Sequence, residues 1–372
     1  MMMNVTPMME KNQWHPVALS QAVTDAPVPV RLLDEDLVLW RDAQGAAQAF
    51  VDRCPHRGAR LSLGRVNDGQ LECPYHGWQF ASSGQCVKVP AVPAFTPPPQ
   101  HCVKSFGVQE AHGLIWVQLE AAEVPLPVFE AEDDARLRKV NCGPYDVQAS
   151  APRIIENFLD MSHFGFVHEG WLGSRDATEM APYQVENTTC GVKATNCKAV
   201  QPMSNLHSTK PAEVHYTYEV TAPFAALLTK IPEAGSSKDG WREAIGLFIC
   251  PVSPTTSRVW FRLAVADFES SDEQLQAFQH TIFTQDQPVL ESQRPKPLPL
   301  DPRAELHSAA DRMSSAYRRY LKASGRVCVK GGVPTIFNPT YELKTGGRPP
   351  QWRTTFLAPN NQNPEKLPAT CG

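Results

Sequence analysis

With 372 residues, 42% of them apolar and 20% charged, the chain is too long for one ordinary hydrophobic core and suits two domains, the second larger than the first. Thirty-five lysines and arginines stand against 39 acidic residues, a formal charge of −4 with no basic stripe to follow a phosphate backbone, so nucleic acid is not expected as a partner. No run of about 18 apolar residues occurs and Met1–Glu10 lacks the apolar stretch of a signal peptide, so a cytoplasmic protein with no membrane partner is expected.

Short runs rich in β-branched and aromatic residues, at 28–33, 37–41, 49–52, 70–72, 78–80 and 114–119, alternate with turn signals and predict a small all-β domain over residues 12–122. Within it, the proline-rich 90–99 reads as an extended surface connection. Residues 123–129, again proline-rich, read as the crossing into a second domain spanning 130–325. There the patterns predict a helical stretch near 153–163, strands at 191–199, 214–220, 244–250 and 258–266, and two later helices. The first of these opens on a capping box, Ser271 with Gln274 three residues on, and places Asp272 and Glu273 in its first turn. Residues 301–323 read as the last helix, and 326–372 as an irregular, Pro/Gly-punctuated C-terminal segment. Strands followed by helices make the class α+β.

Ten cysteines are too few for a small disulfide scaffold, and in a reducing compartment they are thiols or metal ligands whose spacing carries the information. Cys54-Pro-His56 and Cys73-Pro-Tyr-His76 form C-x-H, sixteen intervening residues, then C-x2-H. Each arm offers one thiolate and one imidazole, and Gly58 and Gly77 permit the positive φ that tight ligand loops use. Two metal chemistries use such a set: a single structural zinc, and a Rieske-type 2Fe–2S cluster with two cysteines on one iron and two histidines on the other. Buried thiols and core histidines without metal are the third reading. Mixed Cys/His pairs do not match the C-x2–4-C and H-x3–5-H spacing of zinc fingers.

A second constellation lies in the larger domain. Asp160 and His163 are three residues apart and share a helical face, whereas His168, five beyond His163, would sit about 140° away in an ideal helix. The helix must therefore widen or end between them, and Gly165 eases that departure. Two imidazoles need a carboxylate to make a facial iron site with open positions. Asp286 is the candidate: Phe278, Ile282, Asp286 and Val289 recur at helical spacing, which puts a carboxylate on an apolar stripe, costly unless it is paired or metal-bound. A buried ion pair or simple exposure would also account for it.

On these motifs the chain resembles the Rieske non-haem iron oxygenases, the family of the ring-hydroxylating oxygenase alpha-subunits. Cys54-Pro-His-Arg-Gly58 and Cys73-Pro-Tyr-His-Gly-Trp78 are similar to its two cluster loops, Asp160-x2-His163-x4-His168 to its iron motif, and Gln285-Asp286-Gln-Pro-Val-Leu-Glu291 to the segment carrying its third ligand. Residues 162–170 and 316–321 look most like the saxitoxin-type hydroxylases and methylxanthine N-demethylases. The resemblance implies an all-β Rieske domain followed by a helix-grip, START-like catalytic domain with an antiparallel sheet. It implies a 2Fe–2S cluster on Cys54, His56, Cys73 and His76, and Fe(II) on His163, His168 and Asp286. Asp160 would hydrogen-bond the iron histidine and, across a subunit boundary, the second cluster histidine; Asn157 would stand close to the iron. O2 would be co-substrate, with electrons from NAD(P)H through a separate reductase or ferredoxin, since the chain has no dinucleotide fingerprint of its own. A homotrimer is implied as well. The reaction expected is monooxygenation of a C–H bond, as hydroxylation or oxidative N- or O-demethylation, on a small aromatic or N-heterocyclic molecule. Cis-dihydroxylation of an arene is the alternative within the class, and a non-catalytic Rieske or zinc-binding protein the alternative outside it. Phe164 and Phe166, beside the iron motif, are candidates for a substrate pocket or for plain core packing.

Overall fold

A computed structural model describes residues 8–324; the 326–372 segment lies outside them. After a short helix α1 (Met8–Lys11), ten strands build the first part of the chain. They are β1 (His15–Leu19), β2 (Val28–Leu32), β3 (Glu35–Arg41), β4 (Ala47–Val51), β5 (Arg65–Asn67), β6 (Gln70–Glu72), β7 (Gln79–Phe80), β8 (Cys86–Lys88), β9 (Gly107–Ala111) and β10 (Leu114–Gln118). Three small antiparallel sheets result, ordered β1-β10-β9, β2-β3-β4 and β5-β6-β7-β8. Three of the hairpins turn on residue pairs with positive φ, Leu33-Asp34 (50° and 65°), Asp68-Gly69 (51° and 69°) and His112-Gly113 (58° and 71°). Such paired left-handed residues match the twist of the flanking strands.

Strand β3 shows how the parts are joined. Leu37, Val38, Leu39 and Trp40 are all buried, although an ordinary surface strand alternates. Leu37 and Leu39 enter a core shared with the second part of the chain, whereas Val38 and Trp40 enter the core that also holds Cys54 and Cys73. Covered on both faces, the strand reads as a continuous apolar run.

The second part is a seven-stranded antiparallel sheet, ordered β11-β17-β16-β15-β14-β13-β12. Its strands are β11 (Arg138–Val147), β12 (Gln184–Asn187), β13 (Val192–Gln201), β14 (Ala212–Ala222), β15 (Ala225–Pro232), β16 (Glu243–Ser253) and β17 (Thr256–Val265). Four helices accompany it: α2 (Ala151–Phe158), α3 (Phe164–Val167), α4 (Asp272–Ser292) and α5 (Arg312–Ser324). Strand β16 repeats the logic of β3. Ile245, Leu247 and Ile249 face the core under the helices, while Ala244, Phe248 and Cys250 face the first part of the chain. There Phe248 packs against the rings of His112 and Trp116, with centroids 5.4 and 5.1 Å away, and Leu33 N–H donates to Pro251 C=O at 2.8 Å.

The α+β architecture agrees with expectation, and the sheet adds three strands that were not expected, β11, β12 and β15; the Ala-Ala-Leu-Leu-Thr-Lys-Ile-Pro pattern of β15 alternates too weakly to stand out. Three local expectations are corrected. The helix expected over 153–163 ends at Phe158. The last helix begins at Arg312 rather than 301, after a turn capped by Ser308 and Asp311. The 90–99 connection lies on the surface as expected, but its first half is turned, with Val92 N–H to Val89 C=O and Phe95 N–H to Val92 C=O, and only 95–98 run without a turn.

Candidate metal centres

The two Cys/His loops are built alike. Cys54 N–H donates to Ala59 C=O and Gly58 N–H to Cys54 C=O; Cys73 N–H donates to Trp78 C=O and Gly77 N–H to Cys73 C=O. Gly58 and Gly77, with φ of 74° and 68°, let each loop close on itself. Asp52 anchors the first loop from behind, accepting from Ser62 N–H at 2.7 Å and its hydroxyl at 2.6 Å. Both cysteines are buried, and the rings of His56 and His76 lie 4.6 Å apart. Burial, with Cys73 alongside, pushes the Cys54 thiol up to about 12. Nδ1 of His56 is buried without a hydrogen-bond partner. Two desolvated sulfurs and an orphaned imidazole nitrogen are costly as bare groups and satisfied as metal ligands, so the residues fit a cluster.

The second centre is assembled from three segments. Helix α2 stops after Phe158, and a turn carries Asp160 and Ser162 to His163, which starts α3; His168 ends it. His163 and His168 flank the single turn of α3, and the backbone leaves the helix at His168 (φ −111°, ψ 35°), which is how a five-residue spacing brings both imidazoles to one side. Gly165 plays a different part from the one expected. Rather than unwinding the helix, it admits the next loop: a Cβ at Gly165 would lie 2.8 Å from Ser174 C=O, and one at Gly173 would lie 2.5 Å from Gly165 N.

Asp286 comes from α4, whose capping box is present as read: Ser271 accepts from Gln274 N–H, and Gln274 accepts from Ser271 N–H. The buried stripe of α4 is Leu275, Gln279, Ile282, Phe283, Asp286 and Leu290. Val289, assigned to that stripe from its spacing, is 44% exposed.

Nε2 of His163, Nε2 of His168 and Oδ1 of Asp286 converge, with separations of 3.2 Å between the imidazoles, 3.4 Å from His163 to Asp286 and 3.2 Å from His168 to Asp286. Nδ1 of His163 faces Asp160 at 3.0 Å and Nδ1 of His168 faces the Gln285 side-chain oxygen at 2.7 Å. If each Nδ1 carries the proton, both Nε2 atoms turn lone pairs toward each other and toward a carboxylate. Such a cluster repels itself unless a cation lies within it, and cis donors about a small divalent ion sit about 3 Å apart. The donor set fits iron. Burial acts to lower the His168 pKa, but Asp286 and Gln285 outweigh it and hold the ring above its ordinary value. Burial likewise acts to raise Asp160, yet hydrogen bonds from His163 and Ser162 hold it below the usual carboxylate range. Asn157 donates to Asp286 Oδ1 at 3.1 Å, beside the site as expected.

An apolar pocket opens beside these ligands, between α4 and the sheet. Phe164 lines it; Phe166 does not, being 53% exposed with Arg175 stacked over its ring. Sequence reasoning missed Gln285 as the partner of His168, Gly173 as the residue that admits the loop packing, and Lys230 in the pocket wall. Only Gln285, adjacent to Asp286, had a signal nearby.

Comparison with known proteins agrees with both centres. Residues 13–107 match the Rieske [2Fe-2S] domain and residues 147–326 the vanillate O-demethylase oxygenase C-terminal domain. The methylxanthine N1-demethylase NdmA of Pseudomonas putida is 34% identical over 321 residues, covering 83% of this chain and 87% of the relative. The N3-demethylase NdmB of the same organism is 30% identical over 335 residues, covering 86% and 90%. The solved structure of Pseudomonas putida CBB5 NdmA with caffeine superposes with a TM-score of 0.74 at 33% identity, over 84% of this chain and 90% of that one. The chain belongs to the Rieske oxygenases, oxidoreductases that join a Rieske 2Fe–2S cluster to a mononuclear iron.

Proposed function

We propose that this chain is the oxygenase component of a monooxygenase that oxidises a C–H bond of a small aromatic or N-heterocyclic molecule, most simply an N-methyl group. The observation that carries the reading is the convergence of His163, His168 and Asp286 at one end of an apolar pocket, in a chain that also holds the Cys54/His56/Cys73/His76 loops. Cys54 and Cys73 would hold one cluster iron and His56 and His76 the other; His163, His168 and Asp286 would hold the mononuclear iron. With O2, two protons and two electrons from a reductase or ferredoxin, bound iron would supply insertion of one oxygen atom into a C–H bond while the other leaves as water; on an N-methyl group the resulting hemiaminal releases formaldehyde.

The protein's own groups prepare that step. Asp160 and Gln285 fix the ring orientations of His163 and His168. Asn157 holds Asp286 to a single oxygen near the histidines. Phe164, Ile282 and Phe283 exclude water from the ligand side of the pocket. The division at 12–122 and 130–325 separates cluster from catalytic iron, and a head-to-tail homotrimer would bring His76 of one chain toward Asp160 of the next. A cytoplasmic setting suits exposed thiols such as Cys190, and among the described residues no helix is long and apolar enough to cross a membrane.

Purified protein should contain about three irons per chain, two in the cluster and one mononuclear. Cys73→Ala should abolish the cluster spectrum, and Asp286→Ala should remove the mononuclear iron while leaving that spectrum. With reductase, NAD(P)H and labelled O2, an N-methyl heterocycle should yield formaldehyde. Normal turnover by Asp286→Ala would overturn the ligand assignment, and turnover giving only cis-diols would overturn the reaction.

A further inference from the structure

The pocket is apolar except for a few groups, and one of them is a cation. Lys230, on β15, is 5% exposed and lines the same cavity as the iron ligands. Its partner is Glu243, directly opposite on β16 and itself 6% exposed, with Nζ 2.8 Å from the carboxylate. A second proton of the ammonium goes to Ser204 C=O at 2.7 Å. An ammonium has three protons, and among the described residues no acceptor meets the third. What the ammonium faces on that side is the ring of Phe278, 5.8 Å to the centroid, which is itself part of the pocket wall.

We propose that Lys230 is the substrate-recognition residue of this pocket, and that its neutralisation by Glu243 restricts the pocket to uncharged molecules carrying a carbonyl acceptor. The spare proton is a donor held in a dry wall, where a hydrogen bond to a substrate oxygen counts for much more than in water. The charge is already spent on Glu243, so a carboxylate or sulfonate would enter an apolar cavity with no net positive charge to meet it beyond the iron site. Position sets the size of the molecule as well. Phe278 and Asp286 are eight residues apart on α4, about 12 Å along the helix axis. A group held at Lys230, beside Phe278, thus sits about two helical turns from the iron ligands along α4, a span that a frame of about two fused rings bridges. This rests on the proposed function for the identity of the iron end alone.

Binding of three probes with one bicyclic frame tests it: naphthalene, naphthalene-2-carboxamide and naphthalene-2-carboxylate, titrated calorimetrically into the intact oxygenase without reductase. The amide should bind at least about tenfold tighter than both the acid and the hydrocarbon. Glu243→Gln leaves the lysine charge unpaired and should raise affinity for the acid at least about tenfold, inverting the preference. Because an unpaired buried charge can prevent folding, the double variant Lys230→Met, Glu243→Gln is measured beside it; this neutral pair of similar volume should fold and bind amide and hydrocarbon alike. Equal binding of acid and amide by the natural protein, or an amide preference that survives in the double variant, would overturn the proposal. Iron content is measured on every sample. Loss of iron from the natural protein with the amide preference intact would count against the metal-site reading and not against Lys230.

Discussion

Nδ1 of His168 lies 2.7 Å from the side-chain oxygen of Gln285, the residue that immediately precedes Asp286 on α4. One helix thus presents a candidate iron ligand and, from the neighbouring position, the group that orients another. Outer partners of this kind commonly affect metal affinity by about 10- to 100-fold. Gln285→Leu, which keeps the volume and removes the acceptor, should lower retention of the mononuclear iron by about that factor, while the cluster absorbance stays at full strength. Dialysis against a graded chelator, with iron assayed per chain, measures it; unchanged retention would show that His168 is oriented by packing alone.

Close contact between Gly165 and Gly173 predicts a packing lesion remote from any ligand atom. A methyl at Gly173 would meet Gly165 N and Phe164 C at 2.5 Å, both backbone atoms that can move only by shifting α3. Gly173→Ala should cost about 1–3 kcal/mol and, because His163 and His168 bracket α3, should also reduce mononuclear iron. A thermal melt and an iron assay read the two effects. A variant that melts normally and keeps its iron would refute the contact.

Glu132, just past the 123–129 crossing, ties the start of the second part of the chain to the large sheet. It pairs with Arg262 at 2.5 and 2.9 Å, and His112 stands 3.5 Å away. Burial works to raise its pKa, but hydrogen bonds from His112 and Arg262 outweigh it and hold the carboxyl at about 2. A carboxylate whose folded pKa is depressed adds stability that is complete above its unfolded value of about 4.3 and lost as pH falls toward the folded one. Glu132→Gln should therefore flatten the acid limb of stability between about 4.3 and about 2, with natural protein and variant converging at the bottom of that window. Denaturant melts across the range check this; a variant deficit that grows toward low pH would have the wrong sign.

Transfer between subunits, as opposed to within one chain, predicts complementation. His76→Ala removes a proposed cluster ligand and His163→Ala a proposed iron ligand, so each homo-oligomer should be inactive. Co-assembled oligomers should regain activity wherever an intact cluster meets an intact iron site across a boundary. Asp160→Asn should keep both metals yet slow reoxidation of the reduced cluster, since it replaces the charged acceptor beside His163. Verified mixed oligomers with no recovered activity would place the transfer inside one chain.

Metal chemistry was legible from local spacing because ligand loops are short and their residue types are dictated by the ion. Cys54-x-His56, Cys73-x2-His76 and the His163/His168 pair all lie within single turns or consecutive ones. Asp286 was legible for a related reason: a carboxylate among apolar residues on a helix conflicts with burial, and such a conflict marks a site. Strands covered on one face, and the capping box at Ser271, were also visible as patterns. Tertiary structure decided the rest. That the helix after Ala151 ended at Phe158 and a new turn began at Phe164, and that Gly165 packs against Gly173, rests on contacts that no periodicity records. Val289 fits the apolar spacing yet faces solvent, because which edge of a helical stripe is covered depends on the neighbours of α4. Gln285 and Lys230 acquire roles only through His168 and Glu243, partners 117 and 13 positions distant that the fold brings into hydrogen-bond range. Short-range chemistry is written in neighbouring residues, whereas a long-range partner is chosen by folding and leaves no mark in the local sequence.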